Sequence, residues 1–583
     1  MTCISLYDSI CINKKQLVGI SICIFLMITA VMPIELRWSD ADSVTAWSLP
    51  AFCLFGMTIL FLSTCNTAYV KFGLCDILIL VCGLYYFFRG WIGNEYPCAT
   101  QFIKDAEMFV LYFALRSIFS SIKVNYVLLS IIFVLFGCYE AMYGFFQIAM
   151  GESRHPVYVI TGSFLNPGPY SAYLLITLIV GVLSKNDIFY LLKEVPIKFH
   201  RYFIGLYNFI LVILCIMLLS TWSRAAILTF AIFSLWHYRK YYWKWRYIVW
   251  LACAGIIVGL YFIKQGSANG RILTWIASLQ LWGHTPWLGV GIGGFRHACA
   301  QGFSELYTID PSNSLFFSGN VSEYAFCDIL KILIERGFVG AVLCIVAWLS
   351  VLFNIFHYSR PLYYAILALL AFSLFSYPFE LYPYRIITIT IAAVSPNHLC
   401  NIKVCGWKKN VGIILCGLAF VSLSVFLSKE VQLRQNADKE SNLFIGMQNE
   451  AFIHDYYRLL QKENDNPLFL FQFAKTLRGA GRYNDSNAML SNGILISNDP
   501  MFYLLQGNNY KDMGFPHFAE QAYFKAHAVM PNRLYPLYQL MVLYESVGQK
   551  GKMKKMAKRI IEMKPKITSP ATEEMKQKAK IVL

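Results

Sequence analysis

The sequence is poor in charge. Only 14% of its 583 residues are Asp, Glu, Lys or Arg, against 57% hydrophobic and 16% aromatic. A soluble globule carries about 25% charged residues, so a soluble class is excluded at this size. Acidic residues are the scarcer kind, 33 against 50 basic, and the formal net charge is +17. In a soluble protein that imbalance would point to nucleic acid. Here the basic residues mostly flank apolar runs or lie in the tail, so membrane topology accounts for the excess and no nucleic-acid partner is expected. Cys-x-x-Cys pairs are missing. The 17 cysteines lie mostly inside apolar runs, where cysteine acts as a small hydrophobe, and none follows Cys416. A disulfide framework and a zinc site are therefore not expected. His284 and His297 stand thirteen residues apart without a neighbouring cysteine or carboxylate cluster, so no metal and no other cofactor is implied.

What the chain has in abundance is apolar runs. A membrane span needs about 20 such residues. Candidates lie near 17–34, 44–63, 73–88, 106–121, 126–149, 169–184, 202–220, 225–237, 247–263, 338–356, 361–378, 384–396 and 411–427. The expected fold is all-α, a polytopic membrane protein of about 12–13 transmembrane helices. The first run follows Lys14-Lys15 and lacks a signal peptidase site, so it reads as a retained helix. Loops 185–201, 237–246 and 397–410 are basic and fall on the side of the N-terminus. Positive loops stay in the cytoplasm, which places the N-terminus there and the chain after Leu427 outside.

One polar stretch, 264–337, interrupts the spans on the outer side. Irregular backbone cannot lie bare in hydrocarbon, so this stretch is expected to fold over a cavity as a lid. Beyond Lys429 the pattern becomes amphipathic. Pro467, Pro500, Pro531 and Pro565 recur, with Gly481, Gly514 and Gly548 in phase. The order Gly507, Tyr510, Gly514, Ala519, Tyr523, Ala526, Pro531 follows the tetratricopeptide pattern of stacked helix pairs. The expected domains are a membrane domain over 1–428, a linker helix over 429–466 and a tetratricopeptide-like domain over 467–583.

Several groups are candidates for chemistry. Arg224, within Ser220-Thr221-Trp222-Ser223-Arg224-Ala225, sits at a span end on the side where positive charge is disfavoured. It is either a snorkelling arginine or one with an anionic partner. Arg271 lies on the same side, and two guanidinium forks facing one cavity would suit a diphosphate. The run Gly289-Val290-Gly291-Ile292-Gly293-Gly294 fits G-x-G-x-x-G, but no strand–turn–helix unit surrounds it, so it reads as a tight turn and not a nucleotide site. Thr161 to Gly168 opens a span. Its Ser163 and Asn166 either contact a sugar or start a helix, with Asn166 as cap. Asp40 and Asp42 form a weak acidic pair that a metal-dependent lipid-phosphate-sugar transferase would use.

As a set, Gly162-Ser163-Phe164 with Asn166-Pro167, Ser223-Arg224-Ala225, Gly270-Arg271 with Trp275, Pro286 to Gly291 with Phe295, and Leu333 with Glu335 and Gly337 resemble the O-antigen ligase and polymerase family. That family includes bacterial O-oligosaccharyltransferases, and the resemblance covers about 160–340. It implies transfer of a glycan from a polyprenyl-diphosphate carrier to a lipid or protein acceptor, on the outer face of a bacterial inner membrane. It implies that Arg224 and Arg271 are the two functional arginines. Ser163, Asn166, Ser223, Gly289, Gly291, Asp328 and Glu335 become candidate substrate-binding residues. The ligases' His-Asn pair is replaced by Phe326-Cys327. Asp328, Glu323, His284 and His297 are then the candidate bases, or the good diphosphate leaving group makes a strong base unnecessary. A scaffold whose working part is a partner-binding tail is the non-enzymatic alternative.

Overall fold

Hydrocarbon offers a peptide group no water, so apolar runs close their backbone hydrogen bonds internally as helices. The computed structural model describes residues 14–31, 68–91, 99–248 apart from 152, 154–157, 165 and 192–196, single positions in 251–262, 265–396 apart from 323, 400–404, 440, and 450–583 apart from 567. The membrane half begins with α1 (Lys14–Val31), strand β1 (Ala68–Phe72), α2 (Leu74–Trp91) and α3 (Ala99–Ser121). It continues with α4 (Tyr126–Met150), α5 (Pro167–Leu191), α6 (Ile197–Ser220) and α7 (Arg224–His237). Then come α8 (Gln265–Trp282), α9 (Phe295–Ile309), α10 (Asp328–Tyr358), α11 (Arg360–Ser373), α12 (Tyr382–Val394) and strand β2 (Cys400–Val404).

Among the described residues, four helices are long and apolar enough to cross a membrane: Tyr126–Met150, Pro167–Leu191, His200–Ser220 and Asp328–Tyr358. Arg224–His237, Arg360–Ser373 and Tyr382–Val394 are apolar but shorter. The expected spans at 44–63 and 411–427 lie outside the described residues. α5 is buried nearly all round, with Tyr170, Tyr173, Leu174, Leu175 and Ile179 at the centre of the bundle. α6 instead leaves Leu206, Phe209, Val212, Ile216 and Leu219 exposed at helical spacing, a stripe suited to lipid.

The fold is all-helical in class, with one short antiparallel pair, β1 and β2, Ala68 opposite Val404 and Phe72 opposite Cys400. One expectation needs correction: the stretch 264–337 is not irregular. It is built from α8, α9, a 3-10 turn at Ser314–Ser318 and the start of α10. These helices satisfy their own backbone groups, and Leu273, Ala277, Phe295, Cys299, Phe303, Phe316 and Ile334 form a core of their own. The helix expected to begin at 338 begins at Asp328 and passes through a non-helical Gly337.

The C-terminal half is a run of helices: α13 (Ile453–Glu463), α14 (Pro467–Gly479), α15 (Tyr483–Ser497), α16 (Pro500–Asp512), α17 (Pro516–Val529), α18 (Tyr535–Ser546), α19 (Lys550–Glu562) and α20 (Pro570–Val582). Pro467 and Pro500 sit in first turns, where the missing N–H costs nothing, and Asn466 and Asp499 cap them. Gly481, Gly514 and Gly548 hold the left-handed turns that stop α14, α16 and α18. Pro531 and Pro565 lie in connections instead of opening helices. This half docks on α9. Val529 and Met530 pack on Ala300, His297 Nδ1 meets the Ile494 carbonyl at 3.0 Å, and Arg296 faces Asp499 at 3.5 Å.

Candidate functional site

The glycine-rich turn and the Glu335-Arg336-Gly337 segment are two halves of one joint. Val290 N–H donates to Ile334 O at 2.9 Å and Gly291 N–H to Glu335 O at 3.1 Å. In return Phe338 N–H donates to Pro286 O at 2.8 Å and Val339 N–H to Trp287 O at 3.2 Å. Gly337 breaks the α10 helix at φ 65°, which frees these groups for the turn. From α2, Arg89 donates to Gly289 O at 3.2 Å and Tyr85 to Arg336 O at 2.7 Å. Gly289 and Gly291 therefore hold backbone together, and neither has a side chain to offer a substrate.

Beneath the joint lies a buried ionic cluster. Asp105 meets Arg385 at 2.5 Å and Arg336 at 3.9 Å, and Tyr86 and Gln101 also donate to it. Lys331 pairs with Glu380 at 2.9 Å. Burial would push the Glu380 carboxyl up, but Lys331 and Arg385 hold it below the usual carboxylate range. Asp328, buried, accepts the Phe379 N–H at 3.2 Å, and Glu335 is buried among the same charges. Asp328 braces the 378–380 turn, and Glu335 meets the joint through its backbone carbonyl. Composition did not single out Asp105, Glu380, Arg336 or Arg385, although charged residues inside apolar helices are themselves a signal.

The two arginines lie within electrostatic reach of each other. Arg271, on α8, donates from Nη1 to Phe375 O at 2.6 Å, and its guanidinium lies 4.7 Å from the Phe326 ring centroid. Trp275, one helical turn on, donates to Ala325 O at 2.8 Å. Tyr377 stacks on Tyr324 at 4.0 Å and meets Phe326 edge-on at 5.5 Å. The aromatic wall of Phe326, Tyr324 and Tyr377 escaped the sequence reading, because it joins two segments some fifty residues apart. Burial lowers the Arg271 guanidinium from its ordinary value, and the like charge of Arg224 lowers it further; Tyr377 and Tyr158 act in the opposite direction. Among the described residues, the neighbours acting on its charge include a second cation and no carboxylate. Arg224 opens α7, and Ser223 is its N-cap without a side-chain capping bond. Trp222 and Phe326 both carry positive φ, 51° and 52°, and flank the two arginines. Non-glycine residues held there store strain, which collects at functional sites.

The Thr161–Gly168 turn is held from α4. Gln147 accepts from the Thr161 and Gly162 N–H groups at 2.9 and 2.8 Å, and Glu140 accepts from Ser163 N–H at 3.0 Å. A Cβ on Gly162 would stand 2.2 Å from the Tyr170 ring. Ser163 is fully buried, while Asn166 accepts from Gly168 N–H at 2.9 Å in the helix-start geometry. Of the other candidates, His284 faces Glu305 at 3.6 Å, and His297 sits at the seam with α15. Asp40, Asp42 and Glu323 lie outside the described residues.

Residues 209–345 match the family model of the O-antigen ligases. The matched segment holds both arginines, the glycine joint and the Glu335-Arg336-Gly337 kink, and leaves out the 161–168 turn. No curated protein matches the chain. The match and the apolar helices together support a multi-pass membrane protein with a glycan-transfer function.

Proposed function

We propose that this protein transfers a glycan from a polyprenyl-diphosphate carrier to an acceptor at the outer face of a bacterial inner membrane. The observation that carries this reading is that Arg224 acts as a like charge on Arg271, itself held against the Phe326 ring and the Phe375 carbonyl. Two like charges held together are costly unless an anion joins them. A diphosphate supplies it, and the Ser223 N-cap and the first turn of α7 add a hydroxyl and backbone N–H groups to the same site. The acceptor oxygen or nitrogen attacks the anomeric carbon as the bond to the diphosphate oxygen breaks. The arginines stabilise the charge growing on that oxygen. Phe326 occupies the position of the ligase histidine and stacks on Arg271, so it orients the cation and takes no proton. The acceptor proton passes to solvent or to the departing diphosphate. The N-terminus lies in the cytoplasm. The chain from 467, after a membrane domain ending near 428 and a linker to 466, forms a tetratricopeptide-type domain outside that recruits a partner or acceptor.

Arg224→Ala and Arg271→Ala should each lower glycan transfer at least about 100-fold, as loss of a transition-state donor does, with membrane insertion intact. Arg271→Lys should recover little, because a point charge replaces a fork held on Phe326 and Phe375. Full transfer in both alanine variants removes the reading. Ligase, polymerase and protein oligosaccharyltransferase share this chemistry. Deletion in the host separates them by lost attachment, shortened chains or unglycosylated protein.

A further inference from the structure

A cavity of about 600 Å³ opens at the seam between the 3-10 turn at Ser314–Ser318 and helices α17 to α19. That volume lies within the roughly 300–1,000 Å³ of ligand sites. One wall is aromatic: Tyr307, Phe316 and Phe317, the last 44% exposed. The facing wall carries Asn532, Arg559 and Lys564. Arg559 donates to the Tyr307 hydroxyl at 3.0 Å, and Lys564 Nζ stands 6.0 Å from the Phe317 centroid. Cations outnumber acids here, since Glu562 is the one carboxylate among the lining residues.

Two further polar atoms belong to residues of this wall. Asn532 is 6% exposed and uses its Nδ2 on the carbonyls of Phe316, Phe317 and Gly319, which leaves Oδ1 without a partner among the described residues. His527 Nδ1 is likewise buried and unpartnered. Burial, and then the Arg559 charge, lower the His527 imidazole to about 3, so it is neutral at physiological pH and adds no charge. Both atoms are screened from the cavity, so recognition falls to the rings and the cations. A guest with flat apolar faces stacks on the rings, and one with carboxylates or phosphates pairs with Arg559 and Lys564. A lipid tail meets only the aromatic wall and strands the cations.

We infer that this seam binds a segment of acidic oligosaccharide. The identity of the occupant rests on the glycan-transfer reading above. The turn joins the two sites, because Phe316 and Phe317 face the cavity while the Ser318 carbonyl would stand 2.9 Å from a Cβ on Gly270, next to Arg271. A glycan held here extends from the same wall that positions the arginine.

The test uses the purified full-length protein in detergent, titrated calorimetrically with an oligogalacturonate and with a malto-oligosaccharide of equal length. The acidic chain should bind and the neutral one bind far more weakly. Lys564→Gln, on an exposed position, should weaken the acidic chain about tenfold, the effect of losing one charged hydrogen bond, and Phe317→Ala should weaken both. Arg271→Ala should leave this binding unchanged while it removes transfer, so failure of the seam and failure of the transfer reading are separate results. Absence of binding at millimolar oligogalacturonate, equal binding of the neutral chain, or indifference to Lys564→Gln overturns the proposal.

Discussion

Gly289 and Gly337 meet backbone against backbone. A Cβ on Gly337 would lie 2.2 Å from the Trp287 carbonyl oxygen and 2.5 Å from Gly289 N, and one on Gly289 would lie 2.5 Å from Gly337 N. Both glycines hold positive φ, 72° and 65°. The motif around 286–291 is therefore the mate of the kink in α10, and the pair sets where α8 and α9 hang from the membrane helices.

Alanine at either position must both enter a left-handed conformation and push backbone aside. Gly337→Ala and Gly289→Ala should each cost at least about 3 kcal/mol. Melting in detergent should show it, with Gly205→Ala as the silent control, since nothing lies within 4 Å of a Cβ there.

Asp105 binds two arginines from different helices, α10 and α12. Asp105→Asn keeps the shape and removes the charge, leaving Arg336 and Arg385 facing each other with less compensation. A loss of about 3–5 kcal/mol is expected, the usual cost of breaking a buried ion pair. Thermal unfolding of the purified protein checks it, and an unchanged melting temperature would contradict the network.

Asn532 and Lys566 together hold the carbonyls of residues 316–319 from the C-terminal half. Asn532→Ala should loosen the turn by about 2 kcal/mol. Faster amide exchange at 314–319 is expected, with a fall in transfer while the membrane helices keep their protection. Unchanged exchange would show that the C-terminal half is only tethered.

His527 makes stability depend on pH. Its folded value, about 3, lies below the ordinary 6.5. Between these values the unfolded chain binds the proton and the folded chain does not. Its contribution is full above pH 6.5 and is lost as pH falls from 6.5 toward 3, by up to about 1.4 kcal/mol per pH unit. Hydrogen exchange of α17 and α19 from pH 7 to 5 should follow this slope, and His527→Phe should flatten it.

Much of the architecture was legible in one dimension. Apolar runs announced helices because hydrocarbon permits little else. Pro467 and Pro500, recurring in phase with Gly481, Gly514 and Gly548, marked the helical units of the C-terminal half, because proline and glycine punctuate helices locally. The polar stretch 264–337 was misread as irregular. Its α8 and α9 bury their apolar faces on each other and on the turn at 314–318, not along a single stripe that periodicity would reveal.

The sequence by itself determined that the chain is a membrane protein and where many of its helices begin and end. These follow from short-range effects: transfer of apolar groups out of water, capping, and the cost of charge near lipid. Only the tertiary structure decided that Arg271 lies against Phe326 and within electrostatic reach of Arg224, that Gly289 answers Gly337, and that Asp328 and Glu335 lie buried in one cluster of charges. Those pairings join segments tens to hundreds of residues apart. They depend on how helices cross, and helix crossing is set by the packing of the whole bundle.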